Sequence, residues 1–368
     1  MSDPATIPFQ DLLVALLDEK RPLNPRYLCR LSDLEAAELD MFTETWSRLP
    51  LWRRQALLED LEELGAADDL LSFESIGRHA VKDADPQVRT LAVRLLWEFE
   101  DQTLIPVFLN LLKDDPAMEV RAAAATALGQ FVYMGEIDEL ETEIMTTLVN
   151  QLLHTTTHDQ AERVRQKALE SLSFCSRPEI PALIEQAFSS QNKDWQASAL
   201  LAMGRSMDQR WEPTVLAMLQ NRQPVLRAEA ARAAGEMELA EAVPALVDLT
   251  RDSDKEVRFA AIWSLSQIGG EDARRTLEDL MRSAANDDEA DFLETALDNL
   301  AFTDGLQPFT LFEYPNNNAE DELYQMLIEE EEEWELLDED DDIYYEDEED
   351  LDFPDNGYDE DDDGELSA

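Results

Sequence analysis

The chain has 368 residues, of which 44% are hydrophobic and 31% charged; 84 Asp plus Glu against 29 Lys plus Arg give a formal net charge of −55. Charge of this sign repels phosphate backbones and argues against direct nucleic-acid binding, and two cysteines, Cys29 and Cys175, are too few for a disulfide framework or a Cys-rich zinc site. The first apolar run, Leu12 to Leu17, falls far short of the ~18 to 20 residues of a bilayer span, and Met1-Ser2-Asp3-Pro4 opens without a signal core, so a cytoplasmic protein without membrane contact is expected.

In chain order, Phe9 to Leu17 and Asp33 to Leu49 read as helices of an N-terminal cap over residues 1–50. A repeat follows over residues 51–302. Val-Arg pairs open apolar-periodic segments at Val88-Arg89, Val120-Arg121, Val164-Arg165 and Val257-Arg258, with Leu226-Arg227 equivalent and Trp195-Gln196 a degenerate copy in register. The second members are spaced by 32, 44, 31, 31 and 31 residues; fainter copies stand at Trp52-Arg53 and Phe292-Leu293.

Within a copy, Val88, Leu91, Ala92, Leu95, Leu96 and Phe99 fall on one face of a 3.6-residue period, which predicts an amphipathic helix. Eight residues after the pair stand Trp97, Gly129, Ser173, Gly204, Gly235 and Ser266, mostly small residues that read as helix stops. A second helix is expected to open near Pro106, Pro181, Pro213 and Pro244, since the first turn has no use for the missing N–H. A single hairpin cannot bury its apolar stripe alone. Copies must stack, and the Ala-rich first helices allow close approach. The expected fold is an all-α, right-handed α-solenoid of about eight helical hairpins with a disordered acidic tail.

The 44-residue step marks an insertion of about thirteen residues within 129–159; repeat arrays often carry a binding face in such a place, and the plainer alternative is a lengthened loop and helix with no partner. It ends in the polar run His154 to Asp159, which reads as a solvated loop. Arg282 is the last basic residue, and 35 of the acids lie beyond it. Thr303 to Asn318 reads as a connector within a linker over 303–320, and 321–338 as a short amphipathic helix. The remaining tail is too acidic to offset chain entropy by burial and is expected to be disordered on its own.

The sequence resembles the HEAT-repeat family, in its short form named after phycobilin lyases. The resemblance rests on Asp83, Asp85, Pro86, Val88 and Arg89, on Asp252, Asp254, Val257, Arg258, Ala260, Ala261 and Leu265, and on Lys113 to Pro116 ahead of Val120-Arg121. It covers residues 51–302 and is strongest over 83–270. Relatives of this kind serve as adaptors, lyase subunits, an iron-dependent hydroxylase and DNA glycosylases, so the resemblance implies architecture more than activity.

Two uses of the repeat's charges stay open. An Asp ahead of each helix can cap it while the Arg reaches the Asp of an adjacent copy. Alternatively Arg89, Arg121, Arg165, Arg227 and Arg258 form a ridge that grips an acidic partner. In the tail, carboxylates steer a basic protein and Trp334, Tyr344, Tyr345, Phe353 and Tyr358 anchor it; the alternatives are a purely solubilising tail or one that folds back on the ridge. No catalytic, cofactor or metal residues are assigned: His79 precedes Ala80 and His154 precedes Thr155, so the His-Glu dipeptides of the resembling hydroxylases are missing. Cys175, on what reads as a Leu-rich helix, is expected to pack rather than react. The expected function is a non-catalytic scaffold or adaptor for protein partners; the alternative is an enzyme or enzyme-assembly factor related to those hydroxylases or lyases.

Overall fold

The structure is a computed structural model and describes residues 7–310 except Asp69 and Ala285. Two units divide the chain, Met1–Gln307 and Pro308–Ala368; the tail and its candidate anchors Trp334, Tyr344, Tyr345, Phe353 and Tyr358 lie outside the described residues.

Among the described residues the regular structure is helical throughout. The first helices of successive hairpins are α3 (Leu51–Ala67), α5 (Pro86–Leu95), α7 (Met118–Glu136), α9 (Glu162–Leu172), α11 (Lys193–Ser206), α13 (Pro224–Glu236) and α15 (Lys255–Ile268), and each packs on the next in an unbroken row. The second helices are α4 (Glu74–Ala80), α6 (Ile105–Asp114), α8 (Thr142–His158), α10 (Ile180–Phe188), α12 (Glu212–Met218), α14 (Val243–Leu249) and α16 (Glu271–Met281). Pro106, Pro181, Pro213 and Pro244 occupy the first turns of α6, α10, α12 and α14, as the spacing predicts. The result is an α-solenoid with one continuous core: Val88, Leu91, Ala92, Leu95 and Leu96 are buried, and Phe99 packs against them.

The cap is tied to the stack by polar contacts. Helices α1 (Phe9–Leu17) and α2 (Ala36–Trp46) bury Leu12, Leu16, Phe42 and Trp46. Arg53 donates to the carbonyls of Asp18 (2.8 Å) and Arg21 (2.7 Å), and the Trp46 indole N–H donates to Asp83 at 2.8 Å. At the other end α17 (Asp287–Thr310) is the first helix of a closing copy. It buries Leu293, Ala296 and Leu300 and lays Phe292 on Phe259. This helix runs past Thr303, where the sequence suggests a connector.

Three readings change. Gly129, Gly204 and Gly235 lie inside α7, α11 and α13 and are not helix stops. They mark where neighbouring first helices cross most closely: a Cβ on Gly204 would stand 2.7 Å from Ala233 Cα, and one on Gly235 2.8 Å from Ser264 Cβ. Ser264 itself bridges the crossing, its hydroxyl meeting the carbonyls of Ala231 (2.7 Å) and Ala260 (2.8 Å). Second, the insertion lengthens α7 and α8, and His154 to His158, which read as a loop, complete α8. Thr155 and Thr156 are buried there, with their hydroxyls bonded back to the carbonyls of Gln151 and Leu153, so poor helix formers are held helical by packing. Third, Cys175 is buried in the turn after α9 and not on a helix; burial raises its thiol pKa.

Candidate protein interaction surface

The six copies from α5 to α15 carry the same short polar module. The residue two before the helix N-cap is Asp83, Asp115, Asp159, Ser190, Asn221 or Asp252, and in every copy its side chain accepts the N–H two residues on, at 2.8 to 3.1 Å. Asp85 and Asp254 then cap their helices, Asp85 accepting from Gln87 and Val88 N–H at 3.1 and 3.0 Å. Six residues after the first position stands the repeat Arg. Its NH1 donates to the carbonyls that open its own copy, as in Arg89 to Asp83 (2.9 Å) and Arg227 to Asn221 (2.8 Å).

The Arg Nε and NH2 reach forward to the next copy. Arg89 holds Asp115 through two bonds of 2.8 Å, Arg121 holds Asp159 at 2.8 and 3.0 Å, and Arg227 holds Asp252 through two of 2.8 Å. Arg54 occupies this position in α3 and pairs with Asp83, so the fainter first copy is in register at Arg54 rather than Arg53. These bidentate pairs are mostly shielded from solvent, where such bonds are strong. Arg227 holds the Asp252 carboxyl below the usual carboxylate range. The donors of Arg89, Arg121 and Arg227 are thereby committed inside the ladder. Among the described residues, Arg165 and Arg258 keep only their NH1 bonds to the carbonyls of Asp159 and Gln160, and of Asp252 and Ser253.

A different surface lies open along the row of first helices. One groove of about 350 Å³ runs over α5, α7 and α9, between Trp97, Ala123 and Lys167; a second of about 630 Å³ runs over α9 to α13, between Met118, Leu201 and Glu229. Arg163 and Lys167 line both, so the two join into one trough. Its apolar parts are exposed, Trp97 at 47% and Met118 at 43%. Its polar wall is anchored by Lys167, bonded to Glu170 at 2.6 Å, and by the Glu170 bond to Ser198 at 2.6 Å. Glu229 titrates above its ordinary range because burial disfavours its charge.

Sequence reasoning did not reach this trough. A signal was present: Trp97 is the one large residue in a column of small ones that includes Gly129, Gly204 and Gly235, and Arg163 and Lys167 lie one turn apart on the polar side of α9. The histidines do not form a site with other ligating groups. His154 and His158 stack at 4.2 Å, His79 stands edge-on to Trp46, and no group of three metal-ligating side chains occurs among the described residues.

A row of stacked helical hairpins, joined at four junctions by Arg–Asp pairs, defines an α-solenoid repeat protein. A family model for HEAT repeats matches residues 76–173, 180–251 and 219–297, more than half of the chain, and the chain belongs to the HEAT-repeat family. No curated protein matches it in sequence. Similar solved structures include the CpcE–CpcF complex of phycocyanin lyase from Nostoc sp. PCC7120, at 17% identity over 62% of this chain and 94% of that one, TM-score 0.42. Human deoxyhypusine hydroxylase aligns at 16% identity over 71% of this chain and 95% of that one, TM-score 0.32. Kap95p, in a structure concerned with its binding to RanGDP, aligns at 14% identity over 81% of this chain and 45% of that one, TM-score 0.38. At such identities the likeness concerns the fold alone. No helix among the described residues is long and apolar enough to cross a membrane.

Proposed function

We propose that the chain is a non-catalytic protein-binding scaffold whose trough along the first helices receives a segment of a partner protein. The observation that carries this reading is the trough itself: residues from five consecutive first helices, α5, α7, α9, α11 and α13, contribute to one open surface with apolar anchors and a polar wall. Such a surface suits an extended or helical segment, in which anchors such as Trp97 supply most of the affinity and the charges set orientation. In the same reading the tail, with 26 acids and no cation over residues 321–368, recruits basic protein segments through carboxylates interleaved with Trp334, Tyr344, Tyr345, Phe353 and Tyr358.

Affinity capture from cell lysate with the full-length chain tests the trough. Trp97→Asp combined with Lys167→Glu is expected to lose the partners recovered by the wild type, while Leu70→Asp, at a side chain 89% exposed away from the trough, keeps them. Equal recovery by both variants would sink the trough assignment. Stoichiometric iron or a chromophore in the freshly purified protein would favour the enzymatic alternative instead.

A further inference from the structure

The ladder has a gap, and it coincides with a cavity. Position 190, where other copies place Asp83, Asp115, Asp159 and Asp252 and the next one Asn221, is Ser, and the next repeat Arg is replaced by Gln196. Ser190 still accepts the Asn192 N–H at 3.1 Å, so the backbone of the module is intact and only the carboxylate is missing. Arg165 keeps its NH1 bonds to the carbonyls of Asp159 (2.7 Å) and Gln160 (3.4 Å), which fixes the guanidinium as in its counterparts, but it forms no ion pair among the described residues. Its Nε and NH2 are the two donors that hold a carboxylate in the copies of Arg89, Arg121 and Arg227.

Arg165 lines a cavity of about 430 Å³ together with Leu169, Leu183, Ala187, Ser190 and Trp195. It is the one charged side chain in that lining, in a chain of net charge −55. Arg258 also lacks a ladder partner, because Ala284 stands two before the Asn286 cap, yet it lines none of the cavities described above.

We infer that the Arg165 fork is a binding site for a carboxylate from an acidic peptide segment of a partner protein, the residue next to that carboxylate being apolar. The ligand chemistry is read from the molecule itself: three equivalent forks hold an Asp side chain bidentately at 2.8 to 3.0 Å. The apolar neighbour follows from Leu169, Leu183 and Trp195, which form the walls beside the fork. The inference rests on the scaffold reading but concerns a second site, between α9 and α10 and not in the trough, so its test and that of the trough fail independently.

The experiment uses the full-length protein and the peptide Ac-Ser-Leu-Asp-Phe-Gly-NH2, with its Asn counterpart as control, followed by the Trp195 indole N–H resonance. The acidic peptide is expected to shift that resonance with a dissociation constant below about 1 mM and the Asn peptide to bind at least about tenfold more weakly. Ser190→Asp supplies the missing carboxylate from within: it is expected to raise the melting temperature and abolish peptide binding. Arg165→Gln is expected to abolish binding without the gain in stability. No shift with the acidic peptide, equal shifts with both peptides, binding retained by Ser190→Asp, or a lowered melting temperature for that variant would each overturn the inference.

Discussion

Alanine at Gly204 sets helix propensity against the close crossing of α11 and α13. Propensity alone favours the variant by about 1 kcal/mol, because alanine loses less backbone entropy in a helix. The crossing opposes it: the new Cβ would stand 2.7 Å from Ala233 Cα and 3.1 Å from Ala233 Cβ. Carbon atoms in contact prefer about 3.5 to 4.0 Å, so the two helices must part by up to ~1 Å. The third near atom, Glu236 Oε2 at 2.6 Å, ends a flexible side chain and can move; a Cα cannot. Overpacking of this kind costs about 1–3 kcal/mol, which leaves a net loss of up to about 2 kcal/mol. Gly65→Ala in α3 is the internal control, since its new Cβ meets the Phe73 ring at 3.7 and 3.9 Å, ordinary contact distances. That change is expected to gain up to ~1 kcal/mol. Urea unfolding of the full-length chain, read by far-ultraviolet circular dichroism, should therefore move the midpoint in opposite directions for the two variants. Equal stabilisation by both would refute the assignment of Gly204 to a helix crossing.

Three further outcomes follow from the polar groups. Asp252→Ala removes both forward bonds of Arg227 and the acceptor for the Asp254 N–H, and is expected to cost about 2–4 kcal/mol in thermal or urea unfolding; Asp272→Ala, whose partner Arg275 is largely in solvent, should change stability by less than about 0.5 kcal/mol. Stability should rise as the pH falls from neutral toward the ordinary carboxylate range. Burial raises the Glu229 and Glu236 carboxyls, so the folded state takes up protons there before the unfolded state does. Below about pH 4 stability should fall, because Asp252, held low by Arg227, then protonates and releases its pair. Glu236→Gln should flatten the rise seen in melting temperatures between neutral and mildly acidic pH, and an unchanged profile would count against it. Iodoacetamide labelling of the native protein, followed by mass spectrometry, should modify Cys29 well before Cys175, whose buried thiol resists ionisation; comparable rates would contradict the packing around Cys175.

The architecture was legible because its signals repeat. The Val-Arg pairs, the spacing of 31 and the prolines at second-helix starts each carry a local mechanism, and all of them point to stacked hairpins. The forward reach of Arg to Asp was also open to sequence reasoning, since a fixed charged pair in each copy has few other roles. Gly129, Gly204 and Gly235 were misread because a glycine's local preference is to end a helix, whereas here a neighbouring helix needs the space its side chain would fill. His154 to His158 were misread for a related reason: propensity disfavours three consecutive threonines in a helix, and burial of Thr155 and Thr156 outweighs it. The trough was hidden because it joins residues from successive copies, among them Trp97, Met118 and Lys167, which no single repeat contains. Trp195-Gln196 read as a weak copy; its meaning as an open fork emerges only once the intact forks show what is missing.

The scaffold reading is tested most directly by photo-crosslinking in living cells, with a benzophenone amino acid placed in the full-length chain at Trp97 or Met118 in the trough, and at Leu70 as the exposed control. Discrete covalent adducts with the same partner protein from both trough positions, and none from position 70, are the expected result. Adducts from position 70 alone, or the same smear from all three positions, would contradict the assignment of the first-helix trough as the surface that receives a partner.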